Sequence, residues 1–171
     1  MSAISATPAT PAAVRRPGIL TAAISIVVLT ALAAIVNGVI IATGGKELIK
    51  QALENAGLGG LSDADLDMAA RLAGYDSLDG VVSTFTTRGY LVAGTGVLLL
   101  VFGVLMRKAA TFARVLVTVS AALVMIFGLV VLADETTTTM AGLAMLAILG
   151  SILSIIFTWL PANGRYAKAL R

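Results

Sequence analysis

The chain has 171 residues, of which 58% are hydrophobic and only 12% carry a charge. Soluble domains carry about twice that charged fraction, so the composition excludes an ordinary soluble domain and indicates a membrane protein. The absence of cysteine and histidine excludes disulfides, thiolate metal sites, thiol nucleophiles and histidine-ligated haem.

The chain begins with a polar leader that is followed by the first apolar block. Residues 1–17 are rich in Ala, Ser, Thr and Pro, which predicts a disordered leader. Residues 19–42 form an uncharged block roughly 36 Å long as a helix, enough to cross a hydrocarbon core. The apolar core of a signal peptide has about 7–15 residues, so we expect a retained anchor.

The segment 43–89 connects the first span to the second and contains most of the acidic residues. Its first part, 47–54, predicts a short helix that ends at Gly57. We expect one apolar face on this helix, formed by Ile49, Ala52, Leu53 and Ala56.

Two further helices are predicted in the same segment. Ser62 is a good N-cap, Leu61 and Leu66 occupy the positions of a hydrophobic staple, and Gly74 ends this second helix. A third helix is expected to start near Ser77 and to run into the second span. Together the three predict a small helical cap, which cannot hold a core without the bundle beneath it.

Three more apolar blocks predict the spans 90–106, 115–133 and 140–160. The connections between them are short, so these spans must be antiparallel neighbours. Thr138 or Thr139 is expected to be the N-cap of the last span, which should stop before Pro161 because proline lacks a backbone donor. The last span therefore has its own start and stop signals.

The predicted fold class is all-α, a membrane four-helix bundle with a small extracytoplasmic helical cap between helices 1 and 2. The domain organisation is a cytoplasmic leader, 1–17, followed by a single membrane domain, 18–171.

Charges are segregated between the two sides of the predicted bundle. One side carries eight basic residues and no acid, whereas the other carries four basic residues and all nine acids. By the positive-inside rule the first side is cytoplasmic, which places both termini there. The eight basic residues are Arg15, Arg16, Arg107, Lys108, Arg114, Arg165, Lys168 and Arg171.

Small residues recur at spacings of three and four along each span, as in helix contacts within membranes. Two interpretations stay open. Either these rows of small residues face one another within the chain, which we favour, or one row binds another protein. Asn37 is the most polar residue inside the membrane, and a hydrogen bond between helices explains it more simply than a ligand contact. The candidate packing or partner contacts are Asn37, Gly38, Gly96, Gly103, Ala147, Ser151 and Ser154.

The sequence offers no catalytic, cofactor-binding or metal-ligating motif. The four spans contain no Asp, Glu, Lys, Arg or His, which argues against proton relays, ion-coupled carriers and voltage sensors. The alternating acids Asp63, Asp65 and Asp67 lack the glycine turn and the distal acid of a calcium loop, and a helix N-terminus explains them. We therefore predict that the protein is not an enzyme and has no cofactor.

One resemblance rests on the tail of the fourth span, Thr158-Trp159-Leu160-Pro161 followed by Arg165-Tyr166, with Ala-, Val- and Gly-rich spans and a Pro/Ala leader. In these features the chain resembles the small four-span membrane proteins of high-GC Gram-positive bacteria, a group without an agreed activity. The resemblance implies a bacterial plasma membrane and carries over no functional residue.

The leading functional hypothesis is an accessory or scaffold subunit that packs against a larger membrane complex. The alternatives are a small transporter or channel for an uncharged or lipidic solute, and an outward-facing sensor that acts through the cap. The expected partners are the lipid bilayer and either a larger membrane-protein complex or further copies of the chain, with no nucleic acid.

Overall fold

The computed structural model describes residues 18–108, 111–134 and 136–169, and within these ranges every regular element is helical. The predicted leader, 1–17, lies outside the described residues. A short 3-10 turn, Met106–Lys108, follows the fourth helix. The seven α-helices are α1 (Gly18–Thr43), α2 (Gly45–Asn55), α3 (Asp63–Leu72), α4 (Leu78–Leu105), α5 (Thr111–Ala133), α6 (Thr138–Thr158) and α7 (Pro161–Ala169).

Four of these helices are long and apolar enough to cross a membrane. Helices α1, α4, α5 and α6 have 26, 28, 23 and 21 residues. At 1.5 Å per residue they are roughly 31–42 Å long, which exceeds the hydrocarbon thickness of a bilayer. The chain is therefore a multi-pass integral membrane protein in contact with lipid, and the predicted all-α bundle of four membrane helices is confirmed in this respect.

The four long helices form a closed ring. Helix α1 packs against α4 and α6, and α5 packs against the same two helices from the other side. Fully buried side chains from several helices fill the middle of the ring, and they are small or of medium size. They include Val27, Ala31, Leu99, Val117 and Ala121.

Helix α4 is longer than the predicted span 90–106. It begins at Leu78, so the expected third cap helix and the second span form one continuous helix. The carboxylate of Asp67 in α3 accepts the backbone N–H of Leu78 at 2.9 Å, which satisfies a free donor at the helix start. The first turns of α4 therefore extend beyond the predicted span toward α3, and the remainder lies in the bundle.

Helices α2 and α3 form the cap, which packs against the first half of α4. Ser62 and Asp65 form a reciprocal capping box at the start of α3. The apolar face of α2 differs from the predicted one, because Leu48 and Ala52 are buried whereas Ala56 is exposed. We call this end of the bundle the cap end and the opposite one, where α7 lies, the basic end.

Two helix boundaries differ from the predicted ones. The N-cap of α6 is Thr137, one residue before the earlier of the two predicted threonines, since its hydroxyl accepts the N–H of Met140 at 3.3 Å. Pro161 does more than stop the last span, because it is also the first residue of α7. Proline suits that position, where no intrahelical donor is required.

Candidate functional site

The structure places Gly38 at the closest approach of α1 and α4. A Cβ atom on Gly38 would lie 2.7 Å from the carbonyl oxygen of Gly89 and 2.8 Å from Cα of Ala93. A Cβ atom on Gly89 would in turn lie 2.8 Å from Cα of Ala42. Since these contacts are to backbone atoms that cannot rotate away, only glycine fits at both positions.

The other predicted glycines extend the same interface along α4. A Cβ atom on Gly96 would lie 2.9 Å from Cγ1 of Ile35, and one on Gly103 would overlap the side chain of Val27. The row of small residues predicted on α4 thus packs against α1 of the same chain.

The remaining predicted residues face the interior of the bundle. Ala147 belongs to the buried core, and Ser151 and Ser154 on α6 are completely buried. Asn37 on α1 is 2% exposed, and its Oδ1 accepts no hydrogen bond from the described residues. The Oγ atoms of both serines also lack a partner there. These polar atoms cost folding free energy, because burial strips them of water.

The sequence analysis missed an ion pair at the cap end. Nη1 of Arg88 in α4 lies 2.6 Å from Oδ2 of Asp134, the residue that follows α5. The guanidinium also lies over the ring of Phe85, with Cζ 5.8 Å from the ring centroid. The two charged side chains are 39% and 29% exposed, so the pair is half-buried.

Two cavities meet at this ion pair. The first has a volume of about 250 Å³ and lies between α4, α5 and the start of α6. The second has a volume of about 430 Å³ and lies beneath the cap. Four residues line both cavities: Phe85, Arg88, Asp134 and Met140.

The walls of both cavities are mainly apolar. Leu91 and Val130 line the first cavity and are 49% and 40% exposed on the lipid-facing surface of the bundle, which indicates a lateral opening between α4 and α5. Leu48, Leu53 and Val81 line the second. Such an arrangement can hold an apolar body while the guanidinium and the carboxylate bind a polar head.

The acidic cluster of the cap is arranged as separate contacts. The side chain of Lys50 lies 2.8 Å from Asp63 and lowers the pKa of that carboxyl. The hydroxyl and N–H of Ser62 lower the pKa of Asp65, and the N–H of Leu78 lowers that of Asp67. Each carboxylate thus has its own partner, and among the described residues no three metal-ligating side chains form a group.

Comparison of the chain with protein-family models, with curated proteins and with solved structures found no match in any of the three. The fold and the cavities alone therefore define the class: a four-helix integral membrane protein with a half-buried ion pair between two apolar cavities.

Proposed function

We propose that the protein is a non-enzymatic membrane protein that binds a lipid-like molecule beside Arg88 and Asp134. One observation carries the proposal: the cavities of about 250 and 430 Å³ meet at this ion pair. Taken together they fall in the size range of small-molecule sites, which are mostly apolar with a few polar groups.

The lining indicates the chemistry of the ligand. Apolar walls favour a hydrocarbon body, because its transfer from water gains about 25 cal/mol per Å² of buried surface. Arg88 supplies donors and Asp134 supplies acceptors, so they suit a small polar head that is uncharged or carries both charges. The half-exposed Leu91 and Val130 allow such a molecule to arrive from the bilayer itself.

The packing of the bundle favours binding over conduction. Between the cavities and the basic end the interior is filled by side chains with no exposed surface, among them Val27, Leu99 and Val117. A solute bound at the cap end has no open route past them. Among the alternatives drawn from the sequence, this supports the outward-facing sensor more than the channel.

The orientation is part of the proposal. Charge segregation in the sequence supports a cytoplasmic basic end and an outward-facing cap. The resemblance to four-span proteins of high-GC Gram-positive bacteria supports a bacterial plasma membrane. In that orientation the site opens toward the outer leaflet, and the partners are lipid-like molecules, with no nucleic acid and no cofactor.

The decisive experiment fills the opening of the first cavity. Leu91→Trp places an indole in the lateral opening, whereas Leu98→Trp makes the same change two turns further along α4 on a leucine of similar exposure that lines neither cavity. Lipids bound to the detergent-purified protein are counted by native mass spectrometry. We expect the unmodified protein and Leu98→Trp to retain a lipid that Leu91→Trp loses; equal retention by all three contradicts the proposal.

A second candidate is the accessory subunit of a larger membrane complex. The small residues that motivated it pack within the chain, but one observation still favours it: Met68 and Leu72 on α3 are 65% and 85% exposed. Large apolar side chains outside the spans are typical of protein contacts. The double variant Met68→Ser, Leu72→Ser should then lose a partner that co-purifies in mild detergent, and purification of the unmodified chain without any other protein contradicts this candidate.

A further inference from the structure

Arg114, in the first turn of α5, is almost completely buried at the basic end. Its exposed fraction is 6%. The guanidinium carries five N–H donors, and Nη2 donates to the backbone carbonyl of Asn163 in α7. Nε is buried and finds no acceptor among the described residues. A buried cation therefore faces one neutral oxygen and has a donor to spare.

The chain supplies no acidic side chain to balance this charge. The acids nearest in sequence are Asp79 and Asp134, at the start of α4 and just after α5, both at the cap end. From 80 to 133 and from 136 to 171 the sequence contains neither Asp nor Glu. Burial strips this cation of water, so an anion from outside the described residues is favoured as its partner.

A tryptophan indicates the depth of Arg114 in the bilayer. Nε1 of Trp159 donates to Oγ1 of Thr118 at 2.9 Å, and the same hydroxyl donates to the carbonyl of Arg114 at 2.9 Å. Trp159 is half-exposed, and tryptophan side chains concentrate at the level of the lipid head groups. Arg114 thus lies within reach of lipid phosphates.

The side chain of Asn163 also has a buried polar atom without a partner among the described residues. Its side chain is buried, with Nδ2 donating to the carbonyl of Phe157 at 2.8 Å, which fixes the direction of the amide. Its Oδ1 is buried without a donor among the described residues. The surroundings therefore offer an anion-binding cation together with an acceptor that needs a hydroxyl or amine.

We propose that Arg114 and Asn163 bind a phosphate oxyanion that also carries a hydroxyl. The guanidinium pairs with the phosphate through charge-assisted hydrogen bonds, and Oδ1 of Asn163 accepts from the hydroxyl. A phosphatidylglycerol head group has this chemistry, and so does free hydrogen phosphate. The site is separate from the cavities at the cap end and does not depend on the function proposed for them.

The test uses native mass spectrometry of the full chain in uncharged detergent, with phosphatidylglycerol, phosphatidylcholine and inorganic phosphate as probes. The variant is Arg114→Gln, and the matched control is Arg107→Gln, an exposed arginine at the same end. We expect the unmodified protein and the control to prefer phosphatidylglycerol over phosphatidylcholine about tenfold, and Arg114→Gln to lose that preference.

Competition separates the two sources of phosphate. Displacement of the lipid by millimolar inorganic phosphate assigns the site to free phosphate as well, whereas retention of the lipid assigns it to the head group. An unchanged preference in Arg114→Gln overturns the proposal. Absence of any preference in the unmodified protein, together with no retention of inorganic phosphate, overturns it even if that variant does not fold.

Discussion

The carboxylate of Asp67 accepts the backbone N–H of Leu78 at 2.9 Å and thereby joins the last cap helix to the first residue of α4. Two further contacts fix the cap from the other side, since the lysines of α2 reach the neighbouring elements. Lys46 lies 2.9 Å from Asp79 in α4, and Lys50 lies 2.8 Å from Asp63 in α3. The cap above the larger cavity is thus joined to α4 by polar contacts in addition to buried apolar side chains such as Leu48 and Leu66.

Acidification should weaken the contact between the cap and α4. The N–H of Leu78 lowers the pKa of Asp67, so the contact stabilises the cap fully above the ordinary aspartate pKa and is lost as pH falls through the lowered one. We expect weaker protection of the amides at the start of α4, measured as the exchange rate relative to the intrinsic rate at each pH, both at low pH and at neutral pH in Asp67→Ala. Asp76→Ala, a change at an exposed aspartate in the connection between α3 and α4, is the control; equal protection in both variants contradicts the assigned role.

The contact between α1 and α4 should not tolerate a methyl group. We expect Gly38→Ala to lower the free energy of unfolding by about 1–3 kcal/mol, because the added atom would overlap backbone atoms of α4. Gly94→Ala is the matched control, since a Cβ atom there meets nothing within 4 Å. Thermal unfolding in detergent measures both, and similar midpoints for the two variants contradict this packing.

The buried serines of α6 should be dispensable. Ser154→Ala removes a buried hydroxyl that has no partner among the described residues, so we expect stability to be unchanged or raised by about 1 kcal/mol. Ser62→Ala, by contrast, removes the N-cap of α3 and should destabilise the cap by about 1 kcal/mol. A loss of stability in Ser154→Ala would instead indicate an unrecognised hydrogen-bond partner.

The pair between α4 and α5 should show measurable coupling. In a double-mutant cycle of unfolding free energies with Arg88→Ala and Asp134→Ala, we expect a coupling free energy of about 1 kcal/mol. This value lies at the upper end of the range for exposed ion pairs, because the pair is half-buried. The coupling should fall as salt is raised. Additive effects of the two substitutions would show that the pair contributes no stability.

Local signals in the sequence account for much of the fold. Long apolar runs predict the four membrane helices, and the N-cap Ser62 with the staple pair Leu61 and Leu66 predicts the start of α3. Helix α7 was missed because its polar composition has no apolar period, and Pro161 was interpreted only as a terminator although proline also starts helices.

The candidate site at the cap end lay beyond such signals. Arg88 and Asp134 are 46 residues apart and meet only because α4 and α5 pack side by side. In the sequence both were counted simply as charges that set the topology. A cavity has no sequence signature at all, since its volume depends on how well side chains from several helices fill the space between them.

The backbone contact between Gly38 and Gly89 also determines where this bundle can deform. Two helices that touch without intervening side chains have no rotamers to rearrange, so we expect α1 and α4 to keep a fixed separation at this contact. Between α4 and α5 the first cavity is instead bordered by Leu91 and Val130, which can change rotamer. We therefore expect the first cavity to widen on its α4–α5 side, so that it has one fixed wall and one wall that can adjust.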